Sequence, residues 1–225
     1  ADDDKAVHCV IIKGAGTSFC AGYDLTAGRQ SSDDGIERRK GSGMDDDTWR
    51  IERFQRSLRT LWEMHKPSIA QVHGNCLAGG TDLALACDIL LAVDTARLGF
   101  PEAKVGMGAL FGSVVLPRTI PPSIAYELLF TGRLCTAKEA ERWGLVGRLV
   151  PPGAVLSAAL ELAETIAANA PLSTRRIKEM ARKSFGLPLS AALRLNVGPN
   201  PYASEDRIEG AKAYLEKRKP VWKGR

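Results

Sequence analysis

The chain has 225 residues, of which 44% are hydrophobic, 25% charged and 6% aromatic; this is the composition of an ordinary globular protein and excludes disordered, fibrous and collagen-like classes. The formal net charge of +5 comes from 31 basic and 26 acidic residues. They are interspersed except toward the C-terminus, which suits a polyphosphate-bearing small ligand and argues against a nucleic-acid partner. Five cysteines, an odd number without a CxxC pair or a partnering histidine cluster, point to reduced thiols and argue against a metal site.

No apolar run reaches the roughly 20 residues that cross a bilayer, since the best of them, "LALACDILLAV", is broken by Asp88. The start, "ADDDKAVHC", is acidic and passes directly into a strand, unlike a basic segment followed by an apolar one. We read it as a native lead-in and expect a cytoplasmic protein with no membrane partner.

In chain order, "AVHCVIIKG" (residues 6–14) is a β-branched run closed by glycine, the pattern of a buried parallel strand. "TAGRQSSDDGIERRKGSGMDDDTW" (residues 26–49) is polar and rich in Gly, Ser and Asp, and is expected to be a mobile surface excursion. Trp49, Phe54, Leu58, Leu61 and Trp62 then recur at helical spacing, and "HKPSIAQVHG" (residues 65–74) is a second buried strand with Pro67 at its mouth. "CLAGGTDLALACDI" is small and apolar on nearly every side, which predicts a helix buried all round, and "DILLAV" continues as a strand. "RLGFPEAKVGM" reads as a short strand and turn.

"PPSIAYELLFTG" predicts a helix ending at Gly132. "TAKEAERWGLV" predicts another, with Thr136 as N-cap, Glu139 completing a capping box and Gly144 as terminator. "LSAALELAETIAANAP" and "STRRIKEMARKSF" follow as amphipathic helices, and the last begins at a Ser204 cap. The alternation of buried strand and helix indicates an α/β fold without internal repeats.

Familiar motifs fail. "GAGTSF" has Phe19 where a dinucleotide fingerprint requires its third glycine, there is no Walker A sequence and no G-x-S-x-G elbow, and the three histidines stand apart at His8, His65 and His73. "STRRIKEMARK" carries an inward apolar face at Ile177, Met180 and Ala181, so its charges read as a solvated surface. Three segments remain: "SFCAGYDL", "GNCLAGGTDLALACDI" and "FPEAKVG". The first two are strand-to-helix transitions, where backbone N–H groups lack intrahelical partners and can bind an anion or a developing oxyanion. On a helix beginning near Ala78, Gly79 and Asp82 are three apart and share a face. A carboxylate among Leu, Ala and Gly is pushed toward its protonated form by desolvation, as suits a proton-handling group.

With these residues in view, the sequence resembles the crotonase, or enoyl-CoA hydratase/isomerase, superfamily over essentially its whole length. The matching segments are "VIIKGAGTSFCAGYDL", "VHGNCLAGGTDLALACDI", "ARLGFPEAKVG", "LLFTGRLCTAKEAERWGLVGRLVP" and "SEDRIEGAKAYLEKRKPVWKGR". The resemblance implies a spiral of ββα turns over residues 1–150 and a C-terminal helical oligomerisation region over residues 151–225, supporting a homotrimer or a dimer of trimers. It also implies that the chain lacks the family's usual N-terminal ββα unit. The implied substrate is an acyl-CoA thioester, with no further cofactor and no metal.

Residue by residue, the resemblance implies an oxyanion hole from the backbone N–H groups of Ala21 and Gly79, and catalytic acids at Asp82 and Glu102. The two acids are 20 apart (102 − 82), as in the family. It also implies substrate contacts at Asp24 and Leu25, and contacts to the CoA of a neighbouring subunit from Tyr214 and Lys217. Asp82 stands where hydratases carry glutamate, which withdraws the carboxylate by about 1.5 Å, one C–C bond. The reading is therefore a hydro-lyase acting on a 2-enoyl-CoA. The alternatives are a double-bond isomerase or other acyl-CoA enzyme of the superfamily, and a catalytically silent acyl-CoA-binding homologue.

Overall fold

The computed structural model describes residues 1–23 and 44–225, with 44–50 described as backbone only. Most of the polar excursion, residues 26–43, lies outside the described residues, as do Asp24 and Leu25. The elements in order are β1 (Val10–Lys13), α1 (Met44–Trp62), β2 (Ser68–Val72), β3 (Asn75–Leu77), α2 (Gly79–Ala86), β4 (Ile89–Val93) and β5 (Arg97–Gly99). A 3-10 turn at Pro101–Val105 follows, then α3 (Gly112–Thr119), α4 (Pro122–Thr131), β6 (Leu134–Thr136), α5 (Ala137–Arg142) and β7 (Arg148–Val150). The last elements are α6 (Val155–Ala167), α7 (Pro171–Ser184), α8 (Leu189–Ala192), a 3-10 turn at Pro201–Ala203 and α9 (Glu205–Leu215).

The chain divides into two units: residues 1–12, 63–69 and 156–225 form the first, and residues 13–62 and 70–155 the second. One sheet has strand order β1-β2-β4-β7 and the other β3-β5-β6. In the second unit β4 and β7 run parallel, as do β3 and β5, while β5 and β6 are antiparallel. Every residue of β2 is buried, as in a strand covered on both faces, and its two polar residues, Ser68 and Gln71, are buried with the apolar ones. Leu91, Leu98, Phe100, Leu116 and Leu128 are essentially inaccessible and form the core on which the two loop-to-helix segments rest.

Local signals were legible where side chains cap helices. Thr136 Oγ1 accepts the Glu139 N–H at 3.2 Å while Glu139 Oε2 accepts the Thr136 N–H at 2.9 Å, completing the capping box of α5. Ser204 caps α9 by accepting the Arg207 N–H, and α4 ends at Gly132 as its sequence indicates. Several elements differ from expectation. The face of α7 read as inward is not buried: Ile177 and Ala181 are exposed, and the buried residue of that helix is Glu179. The segment read as a helix from Cys76 starts as strand β3, and α2 begins at Gly79. The first helix begins at Met44 rather than near Trp49, because an aspartate run that reads as loop by propensity is favoured in a helix's first turn. The helix α3 has no clear sequence signal, since "GSVVLPRT" contains Pro117 and little periodicity; its placement is set by burial of Val115 and Leu116.

In the first unit, α9 and the chain end are tied together by Asp206, whose carboxylate accepts the N–H groups of Lys223 (2.7 Å) and Gly224 (3.0 Å). Arg218 forms a bidentate pair with Glu209, and the Trp222 indole donates to the Ala168 carbonyl at 2.7 Å. Among the described residues, no helix is long and apolar enough to cross a membrane. Removing the α5 cap gives a stability test. Thr136→Ala should destabilise the fold by about 1 kcal/mol, seen in urea titration as a lower midpoint with an unchanged slope.

Candidate active site

Every structural feature of the site lies in the second unit. Its first part is the seating of the loop Cys20–Tyr23 on the N-terminus of α2. Cys20 pairs with Cys76 in a parallel bridge: its N–H donates to the Asn75 carbonyl at 3.1 Å, and its own carbonyl accepts from Leu77 at 2.9 Å. A methyl group at Gly80 would lie 2.3 Å from the Cys20 carbonyl oxygen, so only glycine permits this approach. Gly22 has φ of 92°, a left-handed conformation favouring glycine, and a methyl there would be 3.5 Å from the Gly79 nitrogen. The two loops predicted to meet are therefore packed against each other. Among the described residues, the N–H groups of Ala21 and Gly79 have no hydrogen-bond acceptor, and neither does that of Tyr23, on the other side of Gly22.

The second part is a hub at the end of β5. The Gly99 carbonyl accepts the Ala78 N–H at 2.9 Å and the Thr81 hydroxyl at 2.9 Å, and that hydroxyl also lies 2.6 Å from the Cys76 carbonyl. Buried Thr81 thus ties the first turn of α2 to the strand leading into Pro101–Val105, which carries Glu102. It fixes the spacing of the elements bearing the two acids. Ala78, with φ of 53°, takes a backbone conformation rare outside glycine and held here by this hub.

Asp82 is 2% exposed and Glu102 8% exposed. Burial pushes the Asp82 carboxyl up to about 7. The Gly112 N–H, donated at 2.8 Å from the start of α3, opposes this, and the like charge of Glu102 adds to it. Burial likewise raises Glu102, partly offset by its own backbone N–H. Glu102 Oε2 is buried without a hydrogen-bond partner among the described residues. Burial thus raises both carboxyls and the charge of Glu102 raises Asp82 further, which is the kind of environment that acid–base sites use.

The sequence profile of the enoyl-CoA hydratase/isomerase family matches residues 1–225. The chain belongs to this family. Among its relatives, the carnitinyl-CoA dehydratase of Citrobacter koseri is 37% identical over 99% of this chain and 84% of that protein. The enoyl-CoA hydratase EchA19 of Mycobacterium tuberculosis is 38% identical over all of this chain and 82% of that protein. The crystal structure of an enoyl-CoA hydratase from Bacillus anthracis superposes with a TM-score of 0.85 at 32% identity, covering all of this chain and 84% of that one. The fold is the crotonase fold, and the chain is an enzyme of the hydratase/isomerase family.

Set against the family expectation, the structure brings Ala21, Gly79, Asp82 and Glu102 into one unit on packed elements. Asp24 and Leu25 fall outside the described residues. Tyr214 and Lys217 belong to the first unit: Tyr214 is exposed on α9, and Lys217 follows the helix at φ of 55°. Sequence reasoning missed Thr81, Gly112 and Tyr23. Thr81 sits mid-motif between two residues that drew all the attention. Gly112 lies in a stretch without periodicity, and Tyr23 was passed over as a loop residue.

The raised carboxyl has a stability consequence. The folded state holds a proton on Asp82 up to about pH 7, whereas the unfolded chain releases it near pH 4. Between those values the native state binds more protons, so stability falls as pH rises. Asp82→Asn keeps an oxygen for the Gly112 N–H and removes the titration. It should flatten the pH dependence of the melting temperature between pH 4 and 7 and raise stability at pH 8, measured by calorimetry.

Proposed function

We propose that this chain is a cytoplasmic enzyme that reversibly adds water across the C2–C3 double bond of a 2-enoyl-CoA thioester. The observation that carries this reading is the pair of buried carboxyls at Asp82 and Glu102, both raised by burial, beside loops whose N–H groups have no acceptor among the described residues. A similar protein named a hydratase and another named a dehydratase represent the two directions of such an exchange.

The thioester carbonyl oxygen accepts from the Gly79 N–H and from the first loop. The expected loop donor is Ala21, and Tyr23, turned by Gly22, offers the neighbouring N–H. These donors stabilise the enolate that develops when water adds. Asp82 takes a proton from water as its oxygen bonds to C3, and Glu102 delivers a proton to C2, so the protein's net protonation is restored by exchange between the two acids. The Gly112 N–H opposes the burial and the Glu102 charge that raise Asp82 to about 7, so Asp82 is ionised and able to act as base from about neutral pH upward, and burial, which also raises Glu102, favours the protonated form that the acid role needs. CoA enters as part of the substrate, and no cofactor or metal takes part. Asp24 and Leu25 are further substrate contacts in this reading. The assembly is a homotrimer or dimer of trimers in which Tyr214 of α9 and Lys217, just beyond that helix, contact the CoA of a neighbouring copy.

Hydration of crotonyl-CoA, followed by loss of the enoyl-thioester absorbance, tests this reading. Glu102→Gln should lower kcat by roughly 100-fold or more; retention of near-parent turnover would overturn the assignment.

One observation favours a second reading. Asp82 Oδ1 is engaged by Gly112 while Glu102 Oε2 is unengaged, and a single available acid suffices to move a proton between C4 and C2 of a 3-enoyl-CoA. Incubation with a 3-enoyl-CoA separates the two. The hydratase reading expects little conjugated product in excess of what spontaneous isomerisation gives, and rapid conjugation without net water uptake supports the isomerase.

A further inference from the structure

The side chain of Tyr23 stands next to the start of α2 and takes no part in the roles above. Its ring edge, at Cε2, lies 3.7 Å from where a Cβ on Gly79 would project, so the phenol stands beside the start of α2. The opposite side of the ring rests on Phe54 of α1, with ring centroids 5.4 Å apart and planes inclined by 53°. Half of the residue is open to solvent, which places it at a wall rather than in the core. Burial of part of the ring, and then the charge of Asp82, hold its hydroxyl proton up to about 12. At neutral pH the phenol is therefore an uncharged hydrogen-bond donor, packed on Phe54 beside the start of α2 and within electrostatic range of Asp82.

We infer that Tyr23 is a specificity-determining residue whose hydroxyl recognises the C3 hydroxyl of a 3-hydroxyacyl-CoA, the hydrated partner of the enoyl thioester. This rests on the proposed hydratase reading for the identity of the ligand. The physical case is one of reach and chemistry. The oxygen gained at C3 comes from the side of Asp82, whose carboxylate is one carbon shorter than the family's glutamate and has one oxygen engaged by Gly112. A hydroxyl at C3 needs both an acceptor and a donor to replace water. The second Asp82 oxygen supplies the acceptor, and the Tyr23 phenol, within electrostatic range of it, supplies the donor. Without that donor the C3 oxygen would be desolvated and half satisfied on binding, a penalty comparable to one hydrogen bond. Packing on Phe54 already restrains the ring, so less side-chain entropy is lost when the contact forms.

The test measures binding rather than turnover, so it does not depend on catalysis. Calorimetric titration of the parent protein with 3-hydroxybutanoyl-CoA and with butanoyl-CoA should show a preference for the hydroxylated thioester of roughly three- to tenfold, the worth of one net hydrogen bond. Tyr23→Phe retains the ring, its packing on Phe54 and the backbone N–H; it should abolish that preference, bringing the ratio of the two affinities to about one. An unchanged far-UV circular dichroism spectrum shows that the variant is folded. Equal affinities in the parent protein, or a preference that survives Tyr23→Phe, would overturn the inference. If crotonyl-CoA is not hydrated but the preference exists and Tyr23→Phe abolishes it, the hydratase reading fails and the role of Tyr23 stands.

Discussion

The site depends on how closely one peptide carbonyl, that of Cys20, can approach α2. The absence of a side chain at Gly80 leaves room for that carbonyl, and the Cys20–Cys76 bridge then fixes the loop in register with β3. A single methyl at Gly80 would push the loop away and separate the backbone of Gly22 from the nitrogen of Gly79. Once the loop is seated, the positive φ of Gly22 and the unpaired N–H groups on either side of it follow with little further choice. Chemistry that uses backbone donors places its constraint on glycine positions, because the donor itself can come from almost any residue.

The second constraint is electrostatic. Burying two carboxyls within range of each other is expensive unless something compensates, and here the compensation is unequal. Asp82 receives the Gly112 N–H at the start of α3, where the helix dipole also favours negative charge. Glu102 receives only its own backbone N–H and keeps one oxygen without a partner. Two chemically similar groups are thereby given different proton affinities by their surroundings, which is how a pair of acids divides into base and acid. The hub at the Gly99 carbonyl keeps them at one spacing, because the same oxygen is bonded by the helix that carries Asp82 and ends the strand that leads to Glu102.

Much of this was legible in the sequence, for physical reasons. Buried strands, the capping box of α5 and the Ser204 cap are local features whose residues act within a few positions of each other. The expectation that "SFCAGYDL" and "GNCLAGGTDL" meet rested on two strand-to-helix transitions with glycines in the right places, and the structure packs them together. Three things were not legible. The start of α1 was hidden because aspartates are read as loop unless one knows a helix begins there. The helix α3 is defined by burial against distant elements rather than by its own periodicity. Thr81 and Gly112 act across 18 and 30 residues of sequence, distances at which a single sequence carries no signal.

The shortened acid at position 82 illustrates how such remote contacts change a local reading. Taken alone, the loss of one carbon withdraws the carboxylate and weakens its case as a base. In the fold, the short side chain ends where the Gly112 N–H can meet it, while a side chain longer by one carbon, rooted at the same Cα, would place its oxygens about 1.5 Å farther on. The contact therefore fixes the rotamer of Asp82 and opposes the burial that raises its carboxyl, turning a short, mobile carboxyl into an oriented one. What the substitution sacrifices in reach must be recovered from another group on the acyl side. Tyr23, packed on Phe54 and held in its protonated form, is the group we infer to supply it.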